Sequence, residues 1–188
     1  YVASDNVLGG VMAGNALANA IGKKGTVYVS NVKPGISTTD QREEGFKAAM
    51  ANYPDITVLE TQFNDDDANK ASAQVNAVVA RAPDLAGIFG ANLFSAIGSA
   101  DGVKAMGKSG EIKVVAFDAP TRIVDDLKSG LVDMAIAQHP AEIGYMGVMV
   151  AFGHVTGNPV PVSVGTGFTV MTADNIDDPD ISKYVYSD

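Results

Sequence analysis

Asn92, Asp118 and Gln138 each close a short apolar run, 87–92, 113–118 and 133–138. Runs of this kind, alternating with helical segments, read as strands of a parallel α/β sheet, and ligands of open sheets bind beyond the strands' carboxyl ends. An amide both donates to and accepts from a hydroxyl, and a carboxylate accepts two hydroxyl hydrogens. Each residue also has a structural alternative. Asn92 can cap a helix starting near Phe94, Asp118 can cap one near Thr121, and Gln138 can serve an interdomain hydrogen bond. Arg42 falls in the first turn of the helix after the second strand. Its guanidinium can fork onto two oxygens of a carboxylate or polyol, or lie at the surface balanced by Glu43 and Glu44. Asp65, Asp66 and Asp67 follow the third strand. Their spacing is not that of a calcium loop and Asp67 suits a helix cap, so they read as a solvated turn with one carboxylate facing a ligand.

Other chemistries lack their residues. The 188-residue chain has no Cys, which excludes a disulfide framework, a thiolate nucleophile and a Cys-ligated metal site. His139 and His154 have no Ser, Cys or second His at useful spacing. There is no phosphate loop, no dinucleotide-type glycine motif after the first strand, and no GxSxG elbow. Paired acids for glycoside hydrolysis are not identifiable. Phe63, Phe94, Phe117 and Tyr145 can stack on a sugar ring, although packing is the commoner fate of such side chains. A net charge of -9 without a basic arm or patch disfavours nucleic acid. The 46% hydrophobic and 19% charged composition belongs to a folding chain with one sizeable core. No apolar run approaches the length of a membrane span, and no charged and apolar leader opens the chain. Tyr1 to Ala3 reads as strand without a preceding cap, as expected for the remainder of a longer polypeptide.

Periodicity supplies the elements that must position the rim. Residues 4–10 read as a strand end passing into a loop, with a helix following to about Ile21. Residues 26–32 form a strand and 33–39 a loop. Asp40 then reads as the N-cap of a helix, with Glu43 completing a capping box and Pro54 ending it. Further strands are expected at 56–62, 85–91, 112–117 and 132–137, with helices at 67–82, 94–106 and 121–127 between them. A long helix follows Pro140 to about Val155, with Ile143, Met146 and Val150 facing inward. Residues 162–170 suit an edge or crossover strand, and an acidic tail runs from Asp174. Right-handed crossovers make successive strands parallel and collect the polar residues on one rim.

Four segments then carry a resemblance: Ser4 to Gly10 (SDNVLGG), Arg42 to Phe46 (REEGF), Val114 to Asp118 (VVAFD) and Ala135 to Gln138 (AIAQ). Together, and in this order, they resemble the ribose-type periplasmic sugar-binding proteins of ABC transporters, which share their fold with the effector domains of LacI-type repressors. The resemblance covers nearly the whole chain. It implies an α/β fold: the parallel-sheet, Rossmann-like lobe of a type I periplasmic binding protein, with a C-terminal return segment. Residues 4–138 would be the second sugar-binding lobe. Residues 139–188 would return to a first lobe lacking its N-terminal part, and the helix after Pro140 and the strand near 167–171 would belong to that first lobe.

The resemblance also implies a site and partners. Arg42, Asn92, Asp118 and Gln138 match ligand-contacting positions of the family. Asp66 stands where the family often has an aromatic residue, which indicates a more polar sugar or polyol, or a loop slipped by one residue. The implied ligand is a monosaccharide or polyol, captured for an ABC permease in the membrane, without a cofactor or covalent step. The location would be periplasmic or extracytoplasmic. The missing N-terminal lobe would belong to the same polypeptide or to a separate fragment. The alternative is the effector-binding portion of a sugar-responsive transcription regulator.

Overall fold

Val27 and Val29 turn to one side of the central sheet and Tyr28 to the other. The alternation recurs at Ile88/Phe89, Val114/Val115 and Ala135/Ile136. Strands buried on both faces require helices on both faces. The computed structural model describes residues 1–186. Its elements are β1 (Val2–Ser4), α1 (Asn6–Ala20), β2 (Gly25–Asn31), α2 (Ser37–Met50), β3 (Ile56–Val58), β4 (Gln62–Phe63), α3 (Ala68–Arg81), β5 (Leu85–Gly90), α4 (Leu93–Ala105), β6 (Lys113–Phe117), α5 (Thr121–Lys128), β7 (Met134–Gln138), α6 (Pro140–Val155), β8 (Val164–Thr166), β9 (Phe168–Met171) and α7 (Pro179–Ser182). No helix among the described residues is long and apolar enough to cross a membrane.

The large sheet has the order β3-β2-β5-β6-β7-β9, and β4 also pairs with β2. All its pairings are parallel except β7 with β9. β1 and β8 form a separate parallel ribbon. Leu17 of α1 and Phe46 of α2 pack on one face, against Phe89, Phe117 and Ile136. Val75 and Val78 of α3, Val103 of α4, and Ile123 and Leu127 of α5 cover the other. After β2 the chain steps outward to β3, then returns across to β5. The strand order therefore reverses between β2 and β5, which opens a crevice at their carboxyl ends.

Helices α1 and α2 meet backbone to backbone. A Cβ on Gly10 would lie 2.0 Å from the Arg42 carbonyl oxygen, and one on Gly45 would lie 2.0 Å from that of Val7. The glycines thus set the distance between Asn6 on α1 and Arg42 on α2.

Several expectations are corrected by local chemistry. Residues 6–10 are helical, because Asp5 caps α1 by accepting from Leu8 N at 3.1 Å. Asp40 is not an N-cap. It lies inside the first turn of α2 and accepts from Gly35 N at 2.9 Å. Glu43 therefore closes no capping box and instead accepts from Asn31 Nδ2 at 2.7 Å, from Thr61 Oγ1 and from Lys47 Nζ. The strand expected over 56–62 is two strands paired to different stretches of β2. The strand expected over 162–170 divides at Gly167. Its second half does not leave the lobe: β9 pairs antiparallel with β7 and buries Met171 in the core. Ile143, Met146 and Val150 of α6 are only half-buried. No residue of that helix is fully buried, and Tyr145, Val148, Phe152 and Val155 are exposed.

Two predictions follow from these contacts. Alanine favours a helix over glycine by about 1 kcal/mol, yet a methyl driven into a backbone oxygen has no side chain to displace. Gly45→Ala is expected to lose about 2–3 kcal/mol net in urea unfolding, and a loss below about 0.5 kcal/mol would refute the close approach. Burial alone would raise the Glu43 carboxyl, but its hydrogen bonds from Lys47, Thr61 and Asn31 hold its pKa below the ordinary 4.5. A depressed folded pKa stabilises the protein above the unfolded value and loses that stabilisation as pH falls through the folded one. The stability gap between the parent protein and Glu43→Gln should be largest at neutral pH and shrink below pH 4.5. A gap that stays constant down to about pH 3 would contradict this linkage.

Candidate functional site

Arg42 is only 6% exposed. Nε donates to Asn6 Oδ1 at 2.9 Å and Nη1 to the Ala91 carbonyl at 2.8 Å. The guanidinium carbon lies 3.7 Å from the centre of the Phe117 ring, a cation–π stack that favours a planar cation. These three contacts come from α1, from the end of β5 and from β6. Burial lowers the Arg42 pKa, while negative charge at Asp118 opposes the shift. Among the described residues Nη2 donates to no protein acceptor, so one edge of the fork stays available.

Asp118 stands one residue past β6 in the left-handed region, at φ 76°. Its Oδ1 accepts from Gln138 Nε2 at 2.6 Å, and Gln138 Oε1 accepts from Ser4 Oγ at 2.7 Å. A chain of hydrogen bonds therefore runs from the β1·β8 ribbon through the end of β7 to the end of β6.

Asn92 and Asp66 form the other half of the rim. Asn92 caps α4, its Oδ1 accepting from Ser95 N at 3.1 Å, and its Nδ2 donates to Asp66 Oδ1 at 2.6 Å. Capping and rim position are thus compatible for this residue. Asp66 is exposed at φ 65° and donates its backbone N–H to Asn64 Oδ1 at 2.9 Å. Asn64 is fully buried and donates to Ser30 Oγ at 3.1 Å and Ser95 Oγ at 2.7 Å. Asp65 pairs with Lys70, and Asp67 caps α3 by accepting from Asn69 N at 2.8 Å. The three neighbouring carboxylates thus engage three different partners rather than converging.

Arg42, Asp118 and Gln138 share one side of the rim, and Asn92 with Asp66 the other. The joint is the Ala91–Asn92 peptide, whose carbonyl takes the Arg42 hydrogen bond. Four polar residues were not singled out from sequence: Ser4, Asn6, Asn64 and Tyr186. Ser4 and Asn6 lie in the SDNVLGG segment, whose pattern reads as a strand end passing into a loop. Asn64 opens a polar stretch that by pattern reads as loop. Tyr186 carries no local signal. Phe117 lies beneath Arg42 and packs edge-on to Phe168, with ring centres 5.5 Å apart. His139 is buried, with its ring nitrogens 3.0 Å from Glu142 Oε2 and 2.9 Å from Thr169 Oγ1.

An open, mostly parallel sheet with a hydrogen-bonding rim at its switch point defines a ligand-binding α/β lobe. The chain belongs to the periplasmic binding protein family, whose domain model matches residues 1–159. It is 33% identical over 172 residues to the ribose import binding protein of Haemophilus influenzae, covering 92% of this chain and 58% of that protein. The D-allose-binding periplasmic protein of Escherichia coli is 27% identical over 173 residues, covering 91% of this chain and 56% of that protein. A solved ABC transporter solute-binding protein from Agrobacterium vitis, bound with α-D-tagatopyranose, is 66% identical with a TM-score of 0.98. That match covers 100% of this chain and 63% of the other. The chain therefore spans little more than half the length of the curated relatives it matches.

The left-handed Asp118 backbone yields a test independent of ligand. Asparagine and aspartate tolerate positive φ far better than alanine does. Asp118→Ala is expected to unfold about 1 kcal/mol more easily than Asp118→Asn, as read by chemical denaturation. Equal stabilities would show that this turn relaxes freely.

Proposed function

We propose that this chain supplies one lobe of the solute-binding component of an ABC importer, and that the component captures a monosaccharide or polyol. The observation that carries the reading is the buried, pre-oriented Arg42 guanidinium beside the restrained Asp118 carboxylate at the sheet's switch point. Together they offer charged donors and acceptors to adjacent hydroxyls, and charge-assisted hydrogen bonds are the strong ones. Asn92, Gln138 and Asp66 complete the proposed contacts. The sugars named with the relatives agree in class, and the 66% identical neighbour, bound to a ketohexose, puts D-tagatose first among them. The matched proteins are transport binding proteins, which favours import over transcriptional regulation and binding over turnover.

Residues 4–138 are assigned to one lobe, completed by β9, which pairs with β7 and buries Met171 in the same core. On this reading α6 and the β1·β8 ribbon belong with a first lobe supplied by the rest of the protein. The half-buried side of α6 and its exposed apolar residues support that division. Closure of two lobes over the rim would bury the sugar and present a joint surface to the membrane permease. Membership of this family supports a periplasmic or equivalent extracytoplasmic location for the complete protein.

The test is calorimetry of the complete protein against D-tagatose, D-allose, D-ribose and xylitol. At least one should bind with a Kd of about 1 μM or tighter. Asp118→Asn should weaken that binding by about 30-fold or more. Asp101→Ala should leave it unchanged, because Asp101 pairs with Arg122 at 2.6 Å between α4 and α5. Absence of binding across the panel, or equal losses in both variants, would overturn the reading.

A further inference from the structure

The C-terminal segment is strapped to the lobe before it reaches the rim. Ile176 is buried in the core, and Lys128 Nζ lies 2.8 Å from Asp177 Oδ1. Tyr184 stacks on the buried His139 ring, with centres 3.8 Å apart and planes at 13°. These anchors deliver Tyr186 to a backbone bridge with Pro120. Its hydroxyl oxygen accepts from Ala119 N at 3.2 Å.

Ala119 directly follows Asp118, whose backbone is held at φ 76°. A phenol that accepts through a lone pair still has its own proton to donate. The Asp118 carboxylate lies close enough for its charge to act on that phenol. Burial first, and then the negative charge of Asp118, raise the Tyr186 pKa, so the phenol stays neutral and keeps its proton. Gln138 already restrains Asp118 Oδ1. A second restraint on the same turn would fix the carboxylate's direction as well as its position.

We propose that Tyr186 is a positioning residue for Asp118, its hydroxyl clamping the Asp118–Ala119 turn so that the carboxylate is presented to a ligand hydroxyl. The assignment rests on the sugar-binding reading for its consequence, but the clamp itself is a property of the unliganded protein. It makes the far end of the chain part of a site otherwise built from strand ends. It also implies that the tail's anchors, Ile176 and Tyr184, tune affinity without touching ligand.

Tyr186→Phe in the complete protein removes the hydroxyl and little else. Hydrogen exchange of the Ala119 amide should quicken by about tenfold, since its acceptor is lost. Affinity for the sugar that the parent protein binds should fall by about five- to tenfold. In an Asp118→Asn background the same change should alter affinity by less than about twofold, because a residue acting through another couples to it. An Ala119 amide as protected as in the parent protein would overturn the clamp. An affinity loss of equal size in both backgrounds would overturn the positioning of Asp118. If the parent protein binds no sugar, the proposed function fails, and Ala119 exchange still decides whether the clamp exists.

Discussion

A guanidinium removed from water must find its hydrogen bonds and counter-charge inside the protein, or the fold loses several kcal/mol. Arg42 meets that demand with Asn6 on α1, the Ala91 carbonyl at the end of β5, and the Phe117 ring on β6. Asp118 lies close enough for its charge to offset part of the effect of burial. One side chain therefore ties together three elements far apart in sequence, at the point where the strand order reverses. The contact of α1 with α2 at Gly10 and Gly45 belongs to the same constraint. A wider separation of those helices would carry Arg42 away from Asn6.

Beneath the guanidinium the aromatic residues form a column. Phe46 stacks on Phe89 with centres 5.1 Å apart, Phe89 tilts against Phe117, and Phe117 meets Phe168 edge-on. The column crosses α2, β5, β6 and β9, so hydrophobic burial and rim geometry depend on one another. Charged groups above it work from a dry floor, where hydrogen bonds are stronger than in water.

The Asp118–Gln138–Ser4 chain extends that order towards the β1·β8 ribbon. Asp5 N also reaches the Thr166 carbonyl, and His139 reaches Thr169, where the chain passes between the ribbon and the large sheet. The rim and the crossing strands thus share residues. Any shift of Asp118 is thereby coupled through Gln138 and Ser4 to the β1·β8 ribbon.

The sequence alone determined the parallel sheet, because β-branched runs such as Lys113–Phe117 alternate with helical periods and end in polar residues. The same logic put Asn92, Asp118 and Gln138 on one rim, since strand ends of a parallel sheet must share an edge. Local pattern could not decide which of several compatible partners a side chain would take. Asp40 and Glu43 have the spacing of a capping box, yet the helix starts at Ser37 and Glu43 turns to Asn31 and Thr61. Phe168–Met171 could be placed on β7 only by the three-dimensional pairing of residues some thirty positions apart, with Gln138 opposite Phe168. Arg42 could be read as a surface charge until α1 and β5 closed around it. Tyr186 gained its place solely through the path of the tail. Secondary structure follows from short-range steric and hydrophobic periods that a sequence carries openly. The choice of hydrogen-bond partner depends on distances that exist only once the sheet and helices have packed.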